Sequence, residues 1–268
     1  MDIIKPILQS LLLPSFIYSV NVHSNECQTY IDKTISPISF DKAYSQLNTI
    51  SPKDEFETTK DYQARIEHSV IPEKLIISKQ VEKNADDSFL KYNADKEELS
   101  IYRYAFHNTN IGIWKATEST QPKLKINMMN TNFSVITSNE ISHSNEVAFN
   151  SFGAQTKVTN TNYIVSVIVD PITKGIYSNL FPKFKKNKPL GTVHADTQLA
   201  KSLKKSSYLA FVIKPVLPLK STAKWSFPIA KIDSPFQNNY EGKILVANFK
   251  CGLWLDSSNK VIGSYRMD

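Results

Sequence analysis

Along most of this chain apolar and polar positions alternate at short range, and helical spacing is confined to a few windows. Lys74 to Val81, with Leu75, Ile76 and Ile77 at its centre, predicts a strand, and Asn84-Ala85-Asp86-Asp87 a turn after it. Ser88 to Tyr92 and Leu99 to Phe106 predict a hairpin. Lys123 to Thr137 alternates in part (Leu124, Ile126, Met128, then Phe133, Val135) and reads as strand, turn, strand. Thr156 to Asp170 is rich in β-branched residues and ends at Pro171, and Tyr208 to Ile213 is a strand that Pro215 should end. Within Lys243 to Tyr265, Ile244–Phe249 and Leu253–Leu255 lead into the turn Asp256-Ser257-Ser258-Asn259, and Val261-Ile262 returns.

Three windows carry the helical period. Phe40, Ala43, Tyr44 and Leu47 share one face of a short helix with Asp41 near its start. Ala195 to Ser206 forms a second, capped by Asp196 or Thr197, with Leu199, Ala200 and Leu203 facing inward and Lys201, Lys204 and Lys205 at its C-terminal end. The third begins in Lys53–Arg65, the most distinctive string of the chain and the one around which the fold is expected to be organised. Thr58 is placed as N-cap with Asp61 three residues on, an approximate capping box, and Glu57 and Asp61 sit at the positive end of the dipole. Arg65 follows Asp61 at i,i+4. Tyr62, Ile66, Ser69 and Val70 form the buried stripe until Pro72, and Phe56 is placed to pack on the first turn. Asp54, Glu55 and Glu57 read as solvated or capping acids rather than catalytic ones. The elements together predict an α+β fold, mostly antiparallel sheet with two or three short helices packed on it. One domain over 25–268 is expected, and a division near Pro171 is the alternative.

The same string, with Asp54, Glu55, Phe56, Thr58, Tyr62 and Arg65, resembles the "KDEFETT…Y.AR" segment of a family of uncharacterised exported proteins of Gram-negative bacteria. Tyr92–Lys96 with Leu99–Ile101 resembles that family's "YDAD" hairpin, and Phe149–Ala154 its "NAFGA" segment before a strand. Asn93 stands where Asp is usual, and Ser151 where Ala is usual. The resemblance runs from about Phe40 to the C-terminus. It implies an exported, β-rich protein and brings no activity with it.

The N-terminus points the same way on its own pattern. Lys5 precedes an apolar run from Ile7 to Val20, interrupted by Gln9, Ser10, Pro14 and Ser15, and Val22-His23-Ser24 offers a cleavage site. Residues 1–24 therefore read as a signal peptide, with Asp2 and Pro14 against that reading. A retained amphipathic helix or an inefficient anchor is the alternative; the run is too short to span a bilayer comfortably. The only cysteines are Cys27 and Cys251. In an exported protein they are expected to pair, closing a loop of more than two hundred residues worth on the order of 4–5 kcal/mol in the chain-entropy model. They form no metal motif.

Charge is uneven within the formal +7. Residues 174–231 hold twelve lysines against the single acid Asp196. Lys183, Phe184, Lys185, Lys186 and Lys188, with Lys204 and Lys205, form a candidate basic face for an acidic protein partner or an anionic envelope surface. Nucleic acid is not the expected partner: Arg65, Arg103 and Arg266 are the only arginines, so forked phosphate donors are scarce.

Catalytic spacings are missing. There is no glycine-rich phosphate loop, G-x-S-x-G, H-E-x-x-H or calcium loop, and the chain has only seven glycines. Of the scattered histidines (His23, His68, His107, His143, His194), His143 with Ser144 and Glu146, or His194 with Asp196, could be drawn as triads only on paper. Trp114, Trp225 and Trp254 read as core or interface anchors. No cofactor or metal is expected. The sequence points to a non-enzymatic, periplasmic or secreted protein. It would bind a partner or envelope component through the lysine-rich face or a sheet edge, an immunity-type protein being one form. An exported hydrolase with a site built from sequence-distant residues is the alternative. A His–acid–Ser set in a pocket would favour the hydrolase, and an open edge the binding protein.

Overall fold

The computed structural model describes residues 26–48, 50–81, 87–106, 111–127, 131–149, 152–171 and 188–267. In chain order its elements are α1 (Phe40–Gln46), α2 (Thr59–Glu67), β1 (Leu75–Gln80), β2 (Leu90–Asn93), β3 (Glu98–Ile101), β4 (Asn132–Phe149), β5 (Gln155–Asp170), β6 (Gly191–His194), α3 (Thr197–Ser206), β7 (Tyr208–Ser226), β8 (Phe236–Leu255) and β9 (Val261–Arg266). Short 3₁₀ helices lie at Glu26–Tyr30, Arg103–Ala105 and Ile113–Glu118.

β8 is the axis of the main sheet. Antiparallel β7 runs along one side of it from Ser226↔Asn239 to Tyr208↔Leu255. Its other side is shared: β5 lies parallel to Phe236–Val246, and β9 returns antiparallel to Cys251–Leu255. β4 flanks β5 and β1 flanks β7, so the order is β1-β7-β8-β5-β4. The sheet curls until its two outer strands approach, where Lys79 Nζ of β1 donates to the Val135 carbonyl of β4 at 3.2 Å. β2, β3 and β6 form a separate small antiparallel sheet.

The protein is thus mostly β with few, short helices, and antiparallel pairs predominate. It departs from the expected fold in that the main sheet is mixed and barrel-like. A parallel pair needs a long crossover; the one from β5 to β8 contains β6, α3 and β7.

Continuous apolar runs in β8 explain its central place, since a strand covered on both faces loses its alternation. Leu245, Ala247 and Phe249 face the largest core, with Phe211, Ile77, Phe106, Trp254, α1 (Phe40, Ala43) and α3 (Ala200, Leu203). Ile244 and Val246 face a second core with Val165, Val167, Trp225 and Tyr240, roofed by Ile113 and Ala116. A register shift between Phe249 and Cys251 moves Cys251, Leu253 and Leu255 onto that second side, around Cys27, Val212 and Val261. Cys27 and Cys251 are buried and disulfide-bonded, with Cα atoms 5.6 Å apart. The expected pairing is present.

Several sequence expectations need correction. β7 does not end at Pro215: Pro215 pairs with Ala247, the chain bulges out over 216–219 and rejoins at Lys220↔Leu245. A bulge is where a strand tolerates a missing N–H. Residues 123–127 form no strand, whereas β4 continues twelve residues beyond Thr137. β8 begins at Phe236, ahead of the expected Lys243, and β3 ends at Ile101 in place of Phe106.

The Lys53–Arg65 stretch forms its helix but does not organise the fold. Thr58 Oγ1 accepts from the Asp61 N–H at 3.1 Å and donates to the Asp61 carboxylate at 2.7 Å, so Thr58 is the N-cap, while Asp61 takes the cap's hydroxyl in place of the backbone N–H that a full capping box would use. Yet α2 has no buried residue, and Val70 and Phe56 are 87% and 88% exposed rather than packed. Arg65 takes Glu57, not Asp61, through Nε–Oε1 at 2.9 Å and Nη2–Oε2 at 2.8 Å, and its Nη1 donates to the Ser51 carbonyl. A bidentate carboxylate ahead of the helix outcompetes a monodentate partner one turn away. In α3, Asp196 is the cap, with its carboxylate accepting from Leu199 N–H at 2.7 Å, and Leu199 itself is exposed while Ala200 and Leu203 are buried.

Candidate binding surface

β4 and β5 form a long antiparallel arm. Its base is buried on both faces, through Phe133, Val135 and Ile136 on β4 and Val165 to Val169 on β5. From Thr137 onward every β4 residue but Ala148 is exposed, because β5 is the only strand that pairs with β4 among the described residues. Register shifts near Val135/Thr137 and Glu140/Ser142 kink the strand, a common way of guarding an edge. Beyond them, Ser142 to Phe149 pairs regularly with Asn162 to Gln155, and that edge carries neither proline nor lysine.

The distal end is apolar. Val147, Phe149 and Phe152 are 60%, 67% and 92% exposed. β5 brings the start of β8 to the same end through Thr159↔Phe236, and with it exposed Phe236, Ile229 and Ile232 of the β7–β8 connection. Six of the eleven large apolar side chains exposed on the described residues therefore gather at one end of one sheet. Such concentration, unlike scattered exposure, makes this end the candidate surface.

The lysines of α3 that belong to the expected basic face are elsewhere. Lys183, Phe184, Lys185 and Lys186 lie outside the described residues, as do the 1–24 segment, His23, His107, Asn150, Ser151 and the 84–86 turn. Lys188, Lys204 and Lys205 are described; the two of α3 stand at its C-terminal end, where they complement the dipole. α3 leads into the first residue of β7, and the apolar end lies past the last, so the length of β7 separates the two surfaces. Asp54, Glu55 and Glu57 are at the periphery with α2; Arg65's hydrogen bond holds the Glu57 carboxyl below its ordinary range.

Neither paper triad assembles. His143 Nδ1 sits 3.2 Å from Glu140, both exposed, while Glu146 accepts from Asn160 at 2.9 Å. His194 lies 3.6 Å from Glu97 on the surface, and Asp196 is spent on capping α3. Trp225 and Trp254 are core anchors: Trp225 Nε1 donates to the Ile111 carbonyl at 2.7 Å and stacks on Tyr240, and Trp254 Nε1 donates to Ser207.

Two concavities stand out. A cavity of about 440 Å³ opens between β1 and β4, lined by Lys79, Val81, Ile111, Val135, Tyr163 and Tyr240 among others; its described lining contains no His, Asp, Glu or Cys. Burial pushes the Tyr240 phenol up, away from acid–base work at neutral pH. A groove of similar size lies on the sheet face at the base of the arm. No group of metal-ligating side chains occurs, and no helix is long and apolar enough to cross a membrane, among the described residues. The distal part of β4 was missed by pattern reading, since a strand segment exposed on both faces has no burial alternation to find, whereas its partner β5 was read from its β-branched residues.

Comparison with known proteins returns no match to a family model, a curated protein or a solved structure.

Proposed function

We infer that this is an exported, non-enzymatic binding protein that takes a protein partner along the outer edge of β4. The observation that carries the reading is the arm itself. Among the described residues no strand pairs with the outer edge of Ser142–Phe149, so its backbone N–H and C=O groups can accept a further strand, and the apolar end supplies side-chain contacts beside it. An immunity-type protein that neutralises a toxin in the periplasm is one form such a protein takes. Export is supported by the buried Cys27–Cys251 bond, because structural disulfides persist in oxidising compartments. The pattern of residues 1–24 and the resemblance of 53–65 to exported proteins agree with it. Lys188, Lys204 and Lys205 offer a separate contact for an anionic envelope surface. The hydrolase alternative finds no acid–base set to work with in the cavity's described lining.

The test is site-specific photo-cross-linking in the native host after fractionation. A photo-reactive amino acid replaces Ser144 or Val147 in turn, and Lys201 of α3 serves as the control position. A discrete periplasmic adduct from positions 144 and 147, absent from 201, is the expected result. A cytoplasmic chain, or adducts from 201 alone, overturns the reading.

A further inference from the structure

We propose that the groove at the base of the arm is a binding site for a neutral saccharide. Its floor is one row of side chains directly opposite each other across four strands: Ser142 of β4, Asn162 of β5, Asn239 of β8 and Ser226 of β7. These are tied into a chain of hydrogen bonds. Asn162 Nδ2 donates to Ser142 Oγ at 3.0 Å, Asn239 Nδ2 to Asn162 Oδ1 at 3.1 Å, and Ser226 Oγ to Asn239 Oδ1 at 2.6 Å. Each carboxamide has two N–H donors, and the chain uses one on each, so two amides are held in place with a donor to spare. Lys224 and Glu241, ion-paired at 3.1 Å and exposed, line the groove in the next row. Ile141, 58% exposed, lines its side.

The chemistry narrows the ligand. An apolar molecule would leave the amide donors without partners, at a cost for each. An anion would find one lysine, already neutralised by Glu241. A molecule of many uncharged hydroxyls with apolar C–H faces meets both the ladder and Ile141. The groove's volume of about 440 Å³ falls within the usual range for small-ligand sites, about 300–1,000 Å³. The site lies on the sheet face and not along its outer edge, and Ser142 is the residue it shares with the β4 segment proposed to take a partner.

The experiment is binding of the purified, disulfide-bonded protein to a printed array of neutral glycans, followed by calorimetric titration with the glycans retained. Retention of at least one glycan is expected, weakened about tenfold or more by Asn162→Ala and Asn239→Ala, each loss being worth about 1.4 kcal/mol. Thermal melts establish that the variants are folded; if either is not, Ile141→Ser and Lys224→Ala at the exposed rim are read in its place with the same expectation. The proposal is overturned if no neutral glycan is retained, if folded variants bind undiminished, or if only charged polymers or peptides bind.

Discussion

Breaking the Cys27–Cys251 bond tests how the N-terminal segment is held. The bond joins residues 224 apart, and the chain-entropy relation assigns a closure of that length about 5 kcal/mol. In the folded state the segment is also held by backbone hydrogen bonds. Asp32 N–H donates to the Val261 carbonyl, Ile35 N–H to the Asn259 carbonyl, and Val261 N–H back to Lys33. Those contacts do not reduce the entropy that the unfolded chain regains, so the loss should still reach roughly 3–5 kcal/mol. At about 2–4 °C per kcal/mol for a chain of this size, the melting temperature should fall by roughly 6–20 °C. The assay compares oxidised protein, protein reduced in denaturant and refolded with reductant, and Cys27→Ala/Cys251→Ala, by thermal and urea unfolding. The double variant should melt near the reduced wild type and ignore reductant. Oxidised and reduced melts within about 2 °C would refute the argument, showing that the unfolded chain gains little freedom when the loop opens.

Gly242→Ala should destabilise by about 1–3 kcal/mol, because a Cβ there would sit 2.7 Å from the Trp225 ring, which stacking on Tyr240 and the bond to Ile111 keep from yielding; an unchanged urea midpoint and tryptophan emission would count against this packing. Asp256→Ala should cost on the order of 1.5–3 kcal/mol at neutral pH, since that carboxylate accepts from Ser258 N–H and Oγ and from Lys260 N–H in the β8–β9 turn. Burial alone would raise its pKa, but those donors win and lower it, so the stabilisation is present above its unfolded value and lost as pH falls through the lower folded one. The gap between wild type and variant should therefore close below about pH 4, and a gap independent of pH would contradict the assignment. Arg65→Ala should barely move global unfolding yet hasten proteolysis within residues 51–57, which Arg65 ties to α2; protection as in wild type would show the loop is held otherwise. Val147→Lys with Phe149→Ser should change stability by no more than about 0.5 kcal/mol while abolishing the cross-linked complex, since both side chains are exposed.

Local chemistry carried much of the fold into the sequence. Asp196 and Thr58 are caps because their side chains bond the next turn's amides, and the Asp256–Asn259 turn follows from the same short-range competition for backbone donors. The core of β8 and the disulfide were also readable, from an unbroken apolar run and from there being two cysteines only. Tertiary structure decided the rest. Arg65 had acids within reach on both sides, and loop geometry chose Glu57. Phe56 and Val70 looked like core residues, but no element was brought over them. The parallel β5–β8 pair, the approach of β1 to β4 and the row Ser142–Asn162–Asn239–Ser226 bring together residues far apart in the chain. No local pattern encodes such pairings, because register is set by which apolar faces are buried together. The distal part of β4 is the limiting case: exposed on both faces, it gave no burial pattern to read, and its pairing with β5 makes it a strand.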